Sequence, residues 1–95
     1  MKFFIVTANS ATQQQRNAIT NCFHGKPQFG FWHWTPDFWI IQTTNDLVTA
    51  DFVRSEISNV APNLFFAVFG VIPRFNDWSM FADPKWAEWI NQNWR

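Results

Sequence analysis

The stretch Gln28-Phe29-Gly30-Phe31-Trp32-His33-Trp34-Thr35-Pro36-Asp37-Phe38-Trp39-Ile40-Ile41-Gln42-Thr43 decides the fold. Two runs rich in aromatic and β-branched residues, 28–35 and 38–43, flank the pair Pro36-Asp37. Proline presets the backbone angle of a turn and aspartate bonds back to nearby amides, so the two runs read as strands of one hairpin.

Working outward, each side of the hairpin carries a helix and then a strand. Upstream, Ala11, Ala18, Ile19, Cys22 and Phe23 recur at helical spacing, while Gln13–Gln15 and Arg16 fall on the watered side. Ser10 with Gln13 three residues later fits a capping box, and Gly25 supplies a stop after His24. Before that helix, Phe3 to Thr7 is a short apolar strand. Downstream, Asn45-Asp46 marks a loop. Thr49 can cap a helix reaching Val60, with Asp51 in the first turn, where the helix dipole favours an acid. Phe52, Val53, Ile57 and Val60 form its apolar stripe, and Pro62-Asn63 ends it. Leu64 to Ile72 is apolar without alternation, which predicts a last strand covered on both faces.

The resulting order is βαββαβ, the plan of an α+β, ferredoxin-like sandwich. Both helices are expected on one face of a four-stranded antiparallel sheet, with strands 3–7 and 64–72 at its centre. Residues 73–95 are an added tail. Pro73 to Ala82 reads as a loop holding Trp78, Met80 and Phe81. Asp83-Pro84 reads as a cap followed by a first-turn proline. A third helix then carries Trp86, Trp89, Ile90 and Trp94 on one side. That helix, or a second subunit, is the expected cover for the other sheet face.

With 95 residues the chain holds one domain, a core over 1–72 and the tail over 73–95. It contains 12 Phe and 7 Trp but no Tyr. Each such ring can bury ~150–250 Å². That exceeds the need of so small a core, so some aromatic surface is expected to remain for a ligand or partner. The net charge is zero, which argues against strong binding to duplex nucleic acid. Residues 1–36 carry Lys2, Arg16 and Lys26 and no carboxylate; all the acids follow. A lone Cys22 excludes a disulfide framework and fits a reducing, cytoplasmic setting. The opening Phe3–Val6 imitates a signal peptide, but Thr7, Asn9, Ser10 and the glutamines end the apolar run too soon. No stretch approaches the ~20 apolar residues of a membrane span.

Four segments, Trp32-His33-Trp34, Phe38-Trp39-Ile40-Ile41, Phe65 to Val71 and Trp86-Ala87-Glu88-Trp89-Ile90, carry a resemblance. In their order the chain resembles short bacterial and phage proteins of the SinR family, related to the CRISPR-adaptation nuclease fold. The resemblance implies the ferredoxin-like fold, a homodimer and a phage or mobile-element origin. Relatives that cut nucleic acid place an aspartate at the end of strand one for a metal shared by two subunits. Here Ala8-Asn9-Ser10 stands at that point, which argues against the activity.

Other chemistry is thinly represented. Asp37, Asp46, Asp51 and Asp83 have turn and cap roles. Cys22, His24 and His33 are too scattered for the three or four ligands of a zinc site. Cys22 faces the expected core, where a thiol is inert. No catalytic residue, metal or cofactor is therefore expected. Phe29-Gly30-Phe31-Trp32 is faintly like the aromatic segment of an RNA recognition motif, but it sits on strand two and lacks a basic lead.

The reading this leaves is a non-enzymatic, homo-oligomeric binding protein, with a nucleotide-type small molecule as ligand. A phage protein of this kind would sequester a signalling nucleotide as counter-defence. The candidate contacts are Trp32, His33 and Trp34 on strand two and Arg74 and Trp78 in the tail loop. Asn9 and Ser10, at the start of the first helix, offer an anion position. The alternatives are a module that inhibits a host protein and a divergent metal nuclease or single-strand binder.

Overall fold

In the computed structural model, which describes residues 1–75 and 77–95, the chain forms β1 (Lys2–Ala8), α1 (Gln13–His24), β2 (Phe29–Trp32) and β3 (Phe38–Thr43). It continues through α2 (Ala50–Val60), β4 (Phe66–Val71), a 3-10 turn (Pro84–Trp86) and α3 (Ala87–Asn93). All strand pairings are antiparallel, in the order β2-β3-β1-β4. This is the α+β arrangement with the ferredoxin-like element order. The central strands are β1 and β3, not β1 and β4 as the sequence suggested. The hairpin excludes the latter: β2 and β3 pair directly, whereas centring β1 and β4 would send them to opposite edges.

Side chains alternate across the pleat, and here both faces are apolar. Phe4 and Val6 of β1, Trp39 and Ile41 of β3, and Phe66 and Val68 of β4 pack under Ile19 and Phe23 of α1 and Val53 and Ile57 of α2. Phe3, Trp32, Ile40 and Val71 lie in a second cluster with Ile90, Trp86, Trp89 and Trp94 of the tail. The doubled core explains why Phe3-Phe4-Ile5-Val6 shows no alternation. The tail covers the second face only in part. Phe69 of β4 is 55% exposed, so the expected burial of both faces of the last strand holds near Val71 and fails near its middle.

The helix boundaries follow local chemistry. The capping box forms two residues later than the sequence reading placed it. Thr12 Oγ1 accepts from the Gln15 amide (3.1 Å), and the Gln15 side chain accepts from the Thr12 amide (2.8 Å). Ser10 cannot fill that role, because its backbone is left-handed (φ 53°) and a cap is extended. Gly25 ends α1 as expected, its amide bonded to the Asn21 carbonyl. Thr49 caps α2 through the Phe52 amide (3.2 Å). Asp83 caps the tail turn through Lys85 (3.1 Å).

Strand β2 is shorter than the 28–35 expected. Gln28 is left-handed (φ 72°), and pairing with β3 stops at Trp32–Ile40. Its Gly30 permits a close approach: a Cβ there would lie 3.1 Å from the Gln42 side chain and within 3.8 Å of the Trp89 indole. Lys26 joins the end of α1 to Glu56 of α2 (2.7 Å), and that hydrogen bond holds the lysine above its ordinary pKa.

Candidate functional site

The partial cover of the second face leaves a groove of about 280 Å³ between sheet and tail. Ile5, Phe38 and Ile40 form its sheet side, with Trp32 at one flank. The tail supplies Trp78, Ser79, Met80, Ile90 and Trp94. Among the described residues of this lining Ser79 alone lacks an apolar side chain, and none is charged. The local folding explains the wall. Trp32 Nε1 donates to the Trp86 carbonyl (2.7 Å), which ties the tail turn to β2. Trp94 meets Phe3 edge-on, with centroids 5.7 Å apart. The Trp94 indole N–H is buried and has no acceptor among the described residues. A buried donor without a partner costs about 1–3 kcal/mol relative to a satisfied one. The groove therefore offers apolar walls and flat aromatic surfaces.

The structure divides the residues singled out from sequence. Trp32 and Trp78 both line the groove. Trp32 is 7% exposed and braces the tail, so most of its ring is packing. Trp34 lies outside the groove, stacked on Trp86 (5.8 Å, 12°) with Lys85 Nζ 5.3 Å from its ring centre. His33 lies on the helix face, stacked on Trp39 at 4.2 Å. Its Nδ1 is 2.9 Å from the Phe38 carbonyl. A carbonyl only accepts, so Nδ1 carries the proton, and His33 is a hydrogen-bonded strand-end residue. Arg74 is exposed in the tail loop and does not line the groove. Asn9 and Ser10 are exposed and precede the true cap Thr12, so they do not sit at the helix N-terminus as expected.

Two contributors escaped the sequence reading. Met80 and Trp94 sit on the groove because the tail folds back; the helix stripe announces that Trp94 faces the sheet, but not that it and Met80 leave a groove there. Asp37 also does more than shape a turn. Its carbonyl accepts from the Ala8 amide (2.9 Å). Its Oδ1 accepts from the Ala11 amide (3.1 Å) and lies 3.4 Å from Arg16 Nη2. The β2–β3 turn thereby fixes the link from β1 to α1. Asp37→Ala is expected to lower the urea midpoint, at unchanged m-value, by the equivalent of about 1–2 kcal/mol. Asp37→Asn, which keeps the acceptor for Ala11, should lose about half of that.

The chain matches no protein-family model, no curated protein and no solved structure. Its chemistry must be read from its own side chains. No group of three His, Cys, Asp or Glu side chains near enough to share a metal occurs among the described residues. The carboxylate that does approach the end of β1, Asp37, is engaged by Arg16 and a backbone amide. Cys22 is half-buried against the core under α1. No helix among the described residues is long and apolar enough to cross a membrane.

Proposed function

We propose that this chain is a non-enzymatic, self-associating binding protein that takes a flat heteroaromatic compound of the nucleobase type in the groove between sheet and tail. The uncharged groove with the rings of Trp78 and Trp94 in its wall carries this reading. A purine or pyrimidine has π-faces to lie against Trp78 or Trp94. Among the described residues the lining holds no cation, so the site selects the base and leaves any phosphate outside. This narrows the nucleotide-type ligand expected from composition to its uncharged part.

The test is a tryptophan-fluorescence titration of the full chain with the four common ribonucleosides and their mono- and triphosphates. At least one nucleoside should quench saturably, with an affinity within about tenfold of its phosphates, a difference of about 1.4 kcal/mol. Trp78→Ala removes one flat wall of the groove, and it should weaken binding at least tenfold, or about 1.4 kcal/mol. Absence of saturable quenching across the panel would dispose of the reading. So would a Trp78→Ala variant of undiminished affinity.

A further inference from the structure

We propose that the open edge of β4 pairs with the same edge of a second copy, antiparallel about a two-fold axis at Val68. This rests on the self-association part of the reading above and not on the groove.

The backbone shows which groups are free. The Asn9 amide bonds to the Phe65 carbonyl (2.9 Å), so residue 65 points its backbone toward β1. In an antiparallel ladder this alternates. Residues 67, 69 and 71 therefore bond to β1, and Phe66, Val68 and Gly70 present their N–H and C=O groups to the open edge. Among the described residues, β4 pairs with β1 alone. Natural edges are blunted by charges, proline or bulges, because unpaired strand groups recruit other strands. Here no charged residue occurs from Ile57 through Pro73, and no proline lies within β4. The opposite edge is protected: β2 spans only Phe29–Trp32, Pro27 precedes it, and the tail is pinned to its end.

The strand is complementary to itself in one register. Centred on Val68, a two-fold pairing sets Phe66 against Gly70 and Ala67 against Phe69, each a large residue opposite a small one. Every edge-facing amide and carbonyl of Phe66, Val68 and Gly70 then finds its partner, and no charge meets a like charge. A second copy fits this edge better than a generic strand because the isologous contact satisfies both edges at once. Phe65, Phe69 and Ile72 are 79%, 55% and 93% exposed. At ~200 Å² per whole side chain they offer on the order of 450 Å² of apolar surface. A standard interface takes about 800 Å² per partner, so the dimer should be concentration-dependent, near the micromolar range.

Sedimentation velocity of the full chain across that range, with circular dichroism melts as a folding control, tests the proposal. Gly70→Pro removes one edge donor, and Phe69→Lys sets two charges near the axis. Each should raise the dimer Kd at least tenfold while the melt stays cooperative. In a Cys22→Ala background, Val68→Cys should cross-link to a dimer on mild oxidation. Hydrogen-bonded antiparallel pairs lie about 5.5 Å apart at Cα, within the ~4.4–6.8 Å reach of a disulfide. A wild-type chain that stays monomeric at the highest concentration overturns the proposal. A dimer unaffected by both edge variants does so too. The nucleoside titration repeated on monomeric Gly70→Pro reads the groove separately, so the two ideas fail independently.

Discussion

A chain ending at Ala82 is expected to lose about 5 kcal/mol or more of stability and to bind a hydrophobic dye more strongly than the full chain. The deletion removes Ile90, 4% exposed, together with the half-buried Trp86, Trp89 and Trp94. Burying one large apolar side chain contributes about 1.5–3 kcal/mol. The deletion also opens Phe3, Trp32 and Ile40, which are 2%, 7% and 8% exposed in the full chain. A domain of this size holds only about 5–15 kcal/mol in total. The shortened chain should therefore melt at least about 20 °C lower, at roughly 4–8 °C per kcal/mol, or fail to fold. A soluble truncated chain with an unchanged melting temperature and no gain in dye binding would show that the tail is not part of the core.

Cover of the second face by the tail helix is one of the two alternatives the sequence offers, a second subunit being the other, and the helix packs there. The βαββαβ order was legible because each element carries its own signal: the aromatic hairpin around Pro36-Asp37, the helical stripes, the cap at Thr49. The order of strands in the sheet was misread from the same residues. Leu64–Ile72 is apolar throughout, and such a run usually marks a central strand. Here the apolar residues serve an edge, with Phe66 and Val68 under the helices and Phe69 open to solvent. A hairpin of β2 and β3 together with a central β1 leaves only an edge for β4.

Composition signalled surplus aromatic surface but not which rings supply it. Trp34, 43% exposed, is the most open of the seven tryptophans; Trp32 and Trp39 are buried and the other four half-buried. The exposed rings are mainly phenylalanines: Phe65, Phe69, Phe75 and Phe81. Tryptophan is large and has a donor to place, so it bridges sheet and tail, as Trp32 does through Trp86. The groove was legible only in part. Trp32 and Trp78 could be picked out as rings beside loops, whereas Trp94 joins them through a fold-back of residues far apart in the chain.

Trp32 is the residue on which ligand contact and structural brace are most entangled, and its substitutions should separate the two. It meets Phe38 edge-on (6.0 Å, 84°) and Trp86 edge-on (6.3 Å, 78°) and donates to the Trp86 carbonyl. Trp32→Ala opens a cavity between β2 and the tail and is expected to cost about 3–5 kcal/mol. Trp32→Phe keeps most of the packing and loses the donor, an expected cost of about 1 kcal/mol. Urea unfolding at constant m-value reads both. Because Trp32 and Trp86 are in direct contact, a double-mutant cycle between their alanine variants should show a coupling of about 0.5–1.5 kcal/mol. A residue serving only a ligand would behave otherwise: stability within about 0.5 kcal/mol of the parent, no coupling to Trp86, and a loss confined to nucleoside affinity. The brace makes the opposite demand. Stability falls first, and binding weakens through the groove wall that Trp32 holds in place.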